Sequence, residues 1–304
     1  MIVTDPRSFI DSVRLLAPKP DLPATARAAF LLSPVDFALA AESASDNHYM
    51  DLDRKPDPLR ALAEHAELAR RLSEDVPVVT FPGDPDASDG VFPNNVFATV
   101  PGRLIIGRMR HAVRQRETRR ADIREWLGPT LGNEIVDLST QDLVAELTGA
   151  LVIDRARGIG YCGLSERCDL AGARAMHDAF NLRLSFCFDL ADGEYHTNVV
   201  LAILAGRAAI IAESGFRDSD AAKAIASIYQ DRTVSITDTQ KQAFAANAIS
   251  LSPQRVWMSA KAMNSLTADQ ISSLGRSGFS IGSVDLTEIE KAGGSLRCCV
   301  GEIF

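Results

Sequence analysis

The sequence predicts a mixed α/β fold built by radial repetition of one strand–strand–helix–strand unit. Two observations carry that prediction. Paired apolar runs, each followed by a helix-length segment and one more extended run, recur at roughly 40–60 residues without any residue-level repeat. The last apolar run, Ser295–Val300, has no neighbour of its own and pairs most simply with whatever begins the chain. Radial repetition of this kind protects sheet edges. The competing arrangement is an open sheet, for which strand pairs between helices are awkward, since βαβ units alternate one to one.

The elements follow in order. Ala28–Leu32 reads as a short buried strand, and a polar loop runs from there to Pro58. Leu59–Leu72 carries apolar residues at helical spacing behind Asp57, a good cap. Val76–Phe81 is extended, and a loop rich in Pro, Gly and Asp spans Pro82–Pro93. Asn95–Val100 and Arg103–Gly107 form a strand pair about the Pro101-Gly102 turn, with a helix at Glu117–Leu131 and a strand at Glu134–Asp137. The same grammar returns in Ala150–Asp154, Ile159–Gly163, the helix Asp169–Phe180 and Leu184–Phe188. It returns in Asn198–Leu204, Ala208–Ala212, the helix Asp218–Tyr229 and Val234–Ile236. A last copy is Ala248–Leu251, Val256–Ser259, the helix Thr267–Ser277 and Phe279–Val284.

Composition excludes several classes. The chain is long enough, at 304 residues, to bury a sizeable core, and its 46% apolar and 24% charged residues describe a globular protein. A formal charge of −8 offers no cationic face for nucleic acid or an anionic membrane. The basic stretch Arg108–Arg124 is interleaved with acids and reads as a solvated helix face plus a few site residues. No run approaches the ~18 apolar residues of a membrane span, and Met1–Pro20 lacks the pattern of a signal peptide, so a cytoplasmic location is expected. The cysteines, Cys162, Cys168, Cys187, Cys298 and Cys299, are odd in number, which points to reduced thiols. They and the scattered histidines lack zinc-ligand spacing, so no metal or other cofactor is implied.

Four segments place polar residues where a core would not. Asp89-Gly90-Val91-Phe92-Pro93-Asn94-Asn95 opens an apolar strand with two amides, which suits a turn as well as a ligand. Glu146-Leu147-Thr148-Gly149 precedes another strand, and Glu146 by itself reads as a helix-end carboxylate. Tyr195-His196-Thr197-Asn198 precedes the very apolar Val199–Leu204, where a lone histidine is more often structural. Gly293-Gly294-Ser295-Leu296-Arg297-Cys298-Cys299 delivers two thiols behind paired glycines, which allow positive φ or close approach; a buried cysteine acting as a small hydrophobe is the bland alternative. Together, a thiol, an imidazole and a carboxylate at separate strand ends supply a nucleophile, a base and an orienter. Arg114 and Arg167 add forks suited to a substrate carboxylate.

These segments resemble the arginine deiminase and amidinotransferase (pentein) superfamily, and within it the citrulline-utilisation hydrolases most closely. The resemblance runs from Ala28 to Phe304 and is strongest in five ordered motifs: Val91–Phe97, Thr148–Arg155, Leu164–Cys168, Tyr195–Asn198 and Gly293–Cys298. It implies a five-bladed α/β-propeller with a central active site, formed by one catalytic domain over residues 1–304. It also implies Cys298 as nucleophile, His196 as general acid–base and Glu146 as the carboxylate, although Glu-Leu-Thr-Gly matches the family's Glu-Gly-Gly-Asp only loosely. Cys299 is then expected as a strand neighbour pointing to the opposite face. By the same resemblance Arg114 and Arg167 hold the substrate's α-carboxylate, and Phe92 and Asp89 line the pocket.

One departure bears on the substrate. Where deiminases of this superfamily place two aspartates against a cationic guanidinium, the matching positions are Asn95 and Asn198. Each charge–charge contact so lost is worth about 4 kcal/mol at an effective dielectric near 20, before desolvation. An amide both donates and accepts, which suits a neutral ureido group. The expectation is a cysteine-dependent hydrolase taking citrulline to ornithine, ammonia and carbon dioxide, with no cofactor and a small amino acid as its only partner. Arginine or dimethylarginine hydrolysis and amidino transfer are the alternatives, and the oligomeric state is left open.

Overall fold

Among the described residues five separate β-sheets carry the strands, and each is built on the same plan. The computed structural model describes residues 1–17, 19 and 21–304. In chain order the strands are β1 (Ile2–Val3), β2 (Ala28–Leu32), β3 (Val78–Phe81), β4 (Phe97–Val100), β5 (Arg103–Ile106) and β6 (Glu134–Asp137). There follow β7 (Leu151–Asp154), β8 (Ile159–Leu164), β9 (Leu184–Asp189), β10 (Leu201–Leu204) and β11 (Ala208–Ile211). The last are β12 (Thr233–Ser235), β13 (Ile249–Ser252), β14 (Arg255–Ser259), β15 (Ser280–Val284) and β16 (Gly301–Ile303).

In every sheet a first strand runs antiparallel to a second, which runs parallel to a third reached through a helical crossover. The sheets are β4-β5-β6, β7-β8-β9, β10-β11-β12, β13-β14-β15 and β16-β2-β3, with β1 added parallel to the outer edge of β9. In the four sheets made of consecutive strands a short first connection permits the antiparallel pair, whereas β16 joins β2 from the other end of the sequence; in all five the long second connection carries the helix that a parallel return needs. First strands of neighbouring sheets pack on one another, β16 against β4, β7 against β10 and β10 against β13.

The crossover helices start where the capping signals put them. Asp57 accepts from the N–H groups of Leu59 and Arg60 ahead of helix Pro58–Leu72. Asp169 accepts from Gly172 N–H ahead of Leu170–Ala179, and Thr267 with Gln270 forms a capping box for Ala268–Arg276.

Three sequence-based boundaries are corrected. The helix expected over Glu117–Leu131 is a chain of short pieces, with the α-helix only at Ala121–Leu127, because Arg120 leaves helical ψ and Pro129 ends it. The closing strand is not Ser295–Val300 but Gly301–Ile303, paired antiparallel with Ala28–Phe30 of β2. Ser295–Cys299 is instead a tight turn, in which Ser295 C=O accepts from the N–H groups of Cys298 and Cys299. Asn95 and Asn198 precede their strands rather than opening them, on a 3₁₀ turn at Pro93–Asn95 and a helical turn at Thr197–Val200.

Candidate functional site

Every candidate side chain of the central constellation sits on a single turn just before the first strand of a sheet. Asn95 lies on the turn before β4, Glu146 caps the turn Leu147–Ala150 before β7, His196 caps Thr197–Val200 before β10, and Cys298 lies on the turn before β16. A helical turn lacks the strict alternation of a strand, and successive side chains on it point about 100° apart. Cys298 and Cys299 are therefore turn neighbours, not strand neighbours. Cys299 is fully buried in an apolar layer with Leu296 and Val300.

Cys298 and His196 open onto one cavity with about 310 Å³ of empty space, which Asp89, Phe92, Asn95, Arg114 and Arg167 also line. Asn198 and Glu146 stand behind this wall. Asn198 Nδ2 lies 3.7 Å from Cys298 Sγ and donates to Thr148 C=O at 3.2 Å. Glu146 is fully buried and reaches the cavity through His196.

Close packing holds these groups. A Cβ on Gly149 would fall 2.6 Å from His196 Cε1, so the imidazole lies against a bare backbone. Gly293 has φ +72°, and a Cβ there would lie 2.5 Å from Asn47 Nδ2. The Ser43–Pro58 loop supplies Ser43, Asn47 and Met50 to the cavity wall, and Met50 bridges to Ala292 beside the paired glycines.

Glu146 accepts from His196 Nε2 at 2.8 Å, from Arg110 N–H at 3.1 Å and from Arg167 Nη1 at 3.3 Å. Burial by itself would raise this carboxyl, but the Arg167 charge and the His196 hydrogen bond outweigh it and hold it well below the usual carboxylate range. An ionised Glu146 fixes the tautomer: Nε2 carries the proton, and Nδ1 is left unprotonated. Burial lowers the His196 pKa despite that hydrogen bond, and Arg167 and Arg114 lower it further, so the imidazole rests neutral. Burial also pushes the Cys298 thiol up, opposed by Ser295, Asn247, Arg297 and Asn198. The resting thiol and the resting imidazole are thus both neutral.

The arginines are engaged. Arg114 forks onto Glu117, Nε to Oε1 and Nη2 to Oε2 at 2.8 Å each, and Nη2 reaches Phe92 C=O at 3.1 Å. Arg167 forks onto Asp46 through Nε at 2.8 Å and Nη2 at 2.5 Å. Asp89 accepts from Ser43 Oγ through Oδ2, while its Oδ1 and the Oδ1 of Asn95 are buried without a partner. Both residues line the cavity, where an N–H donor brought in would satisfy these acceptors.

Sequence reasoning did not single out Asn247, Asp46 or Ser43. Asn247 Nδ2 lies 3.2 Å from Cys298 Sγ, and its Oδ1 accepts Cys298 N–H at 3.3 Å. The available signal was positional, because Asn247 stands just before its first strand as Asn95 and Asn198 do before theirs. Among the described residues no group of His, Cys, Asp or Glu could hold a metal ion, and no helix is long and apolar enough to cross a membrane.

Comparison with known proteins adds to this geometry. Residues 33–304 match the family model described as "N,N dimethylarginine dimethylhydrolase, eukaryotic". An uncharacterized protein, YkgA of Bacillus subtilis (strain 168), is 24% identical over 241 residues, 78% of this chain and 77% of that one. The N-terminal domain of ArgZ, a cyanobacterial arginine dihydrolase, superposes with TM-score 0.79 at 20% identity, covering 91% of this chain and 97% of that domain. A dimethylarginine dimethylaminohydrolase captured as an adduct with S-methyl-L-thiocitrulline gives TM-score 0.71 at 20% identity, covering 91% and 100%. These structural likenesses establish a shared mixed α/β fold.

Proposed function

The chain belongs to the N,N dimethylarginine dimethylhydrolase family of the pentein superfamily, hydrolases of non-peptide C–N bonds, and from that premise we propose that it hydrolyses a ureido amino acid, citrulline first, through Cys298. The observation that carries the ureido preference is the amide environment of the sulfur. Both hydrogen-bonding side chains in contact with Sγ, Asn198 and Asn247, are neutral amides. No carboxylate therefore meets a guanidinium at the sulfur, and the amide that lines the cavity itself, Asn95, keeps its Oδ1 without a partner and open to a ureido N–H.

In this reading His196 Nδ1 takes the thiol proton as Cys298 Sγ bonds to the ureido carbon. The C–N bond to the ornithine amine breaks, and the same proton passes from Nδ1 to that amine. An S-carbamoyl group remains on Cys298. Water then attacks it, giving its proton to His196 and freeing the thiol, and the released carbamic acid falls apart to ammonia and carbon dioxide. Glu146 holds the imidazole and stabilises its cation, as the orienter of a triad does. The single catalytic domain is read as spanning 1–304, with the five sheets as blades of an α/β-propeller; the packing of successive first strands supports this arrangement.

A second reading, arginine or dimethylarginine as substrate, is favoured by Asp89, whose unpaired Oδ1 in the cavity could accept from a guanidinium. One experiment separates the two. Incubation with citrulline, arginine and dimethylarginine, with ornithine, citrulline, ammonia and methylamines resolved, should show ornithine from citrulline. Turnover of arginine or dimethylarginine with citrulline untouched would overturn the ureido reading, and no turnover of any of them would overturn both.

A further inference from the structure

The turn before each first strand carries a polar residue two or three positions ahead of the strand: Asn95, Thr148, Asn198, Asn247 and Cys298. Four of these belong to segments already read as site motifs. Asn247 does not, yet it makes the closest side-chain contact to the Cys298 sulfur among those described here. It is fully buried, held on a turn in which Asn247 N–H donates to Phe244 C=O, and it does not line the substrate cavity.

We infer that Asn247 is the positioning residue of the nucleophile, clamping the backbone N–H and the sulfur of Cys298 with one amide so that a donor faces Sγ. The orientation of the amide is forced. Cys298 N–H, which donates to Ser295 C=O at 3.0 Å, also reaches Asn247 Oδ1 at 3.3 Å, and Nδ2 lies toward Sγ at 3.2 Å. The neighbouring Asn198 C=O accepts the same Nδ2 at 3.0 Å and confirms that nitrogen, not oxygen, points that way. A donor aimed at sulfur favours thiolate over thiol, and it does so from behind, leaving the cavity side of the sulfur open for substrate.

The other titratable and charged groups around the sulfur are Arg297 and Cys299 on its own turn, Tyr195 and His196 on the adjacent one, and Asp89, Arg114 and Arg167 across the cavity. None of them can replace a neutral donor fixed to the Cys298 backbone. The inference rests on Cys298 being the nucleophile but not on the identity of the substrate.

The test is the pH dependence of Cys298 alkylation by iodoacetamide, read on the Cys298 peptide by mass spectrometry, with Cys298→Ala as the blank. Asn247→Asp keeps the size and the acceptor for Cys298 N–H but places an acceptor against sulfur. It should move the alkylation midpoint up by about one unit and slow alkylation at pH 8 about tenfold. Asn247→Ser, which loses the donor without adding charge, should move it upward by less. On the substrate found for the wild type, Asn247→Asp should lower kcat with little change in KM. A folded Asn247→Asp whose midpoint is unchanged or lower overturns the proposal. If neither variant folds, Asn247 supports the fold and not the sulfur, and the proposal fails as well. Alkylation needs no substrate, so a failed ureido assignment leaves this result standing and the two failures are distinguishable.

Discussion

His196 Nε2 and Glu146 Oε2 meet at 2.8 Å although they sit on turns before different sheets, 50 residues apart in the chain. That contact leaves Nδ1 as the unprotonated nitrogen and ties the imidazole to a carboxylate that Arg167 keeps ionised. Replacing Glu146 with Gln keeps the shape but removes the charge that stabilises an imidazolium and strands Arg167 without one of its partners. Glu146→Gln should lower kcat by about a hundredfold or more while the Cys298 thiol remains open to alkylation. Steady-state rates beside an alkylation assay check this, and near-normal kcat would remove Glu146 from the mechanism.

The two adjacent thiols differ in their surroundings. Cys298 faces the cavity, and its replacement by Ala removes one sulfur atom beside open space, costing about 1 kcal/mol of stability. Cys298→Ala should therefore melt close to the wild type and show no turnover. Cys299→Ala leaves a hole in a dry layer, costing about 1–2 kcal/mol, yet should keep most of the activity. Activity persisting in Cys298→Ala and vanishing in Cys299→Ala would reassign the nucleophile.

Gly149 offers a test of imidazole placement that touches no reacting group. A methyl there would press on the whole ring, 2.6 Å from Cε1 and 2.7 Å from Nδ1. Gly149→Ala should cost about 1–3 kcal/mol by overpacking and lower kcat at least tenfold, a 1 Å displacement being that costly at a reacting centre. A variant with full activity would show that the ring can move without consequence, against a fixed base.

Asn198→Asp puts a carboxylate beside the sulfur and so reads the substrate's charge. The variant also loses the donor that Asn198 Nδ2 gives to Thr148 C=O, so absolute rates will fall for any substrate. The informative quantity is the ratio of arginine to citrulline turnover, which should rise about tenfold or more. An unchanged ratio would take Asn198 out of the specificity argument.

How much of this was legible in the sequence follows from the length of each segment. Strand pairs and crossover helices announce themselves through period-2 and period-3.6 runs long enough to count, and Asp57, Asp169 and Thr267 mark helix starts chemically. The functional turns do not. Thr197–Val200 and Pro93–Asn95 are one turn each, and the apolar Val199 and Val96 inside or beside them read as the start of the following strand. Asn247 was hidden for the same reason, by a turn of Ala245 and Ala246 that carries no periodic signal. The pairing of Arg114 with Glu117 and of Arg167 with Asp46 was out of reach for a different reason. An isolated arginine in a sequence looks free, and only the folded chain shows which acid it has already met.

His65 does not line the cavity, and its buried neutral ring couples stability to acid. It is buried on helix Pro58–Leu72, its Nε2 has no hydrogen-bond partner, and desolvation lowers its pKa from 6.5 to about 4. The unfolded chain binds a proton at this site below 6.5 while the folded one does not until about 4. The stability the neutral ring contributes is therefore complete above pH 6.5 and is lost as pH falls through that window, to a total of about 3 kcal/mol. The melting temperature should accordingly fall between pH 7 and pH 4.5, and His65→Leu, which cannot take up a proton, should flatten that fall. An identical pH slope in the variant would place the acid lability elsewhere, with the neutral imidazole of His196, whose pKa burial also lowers, as the next site to replace.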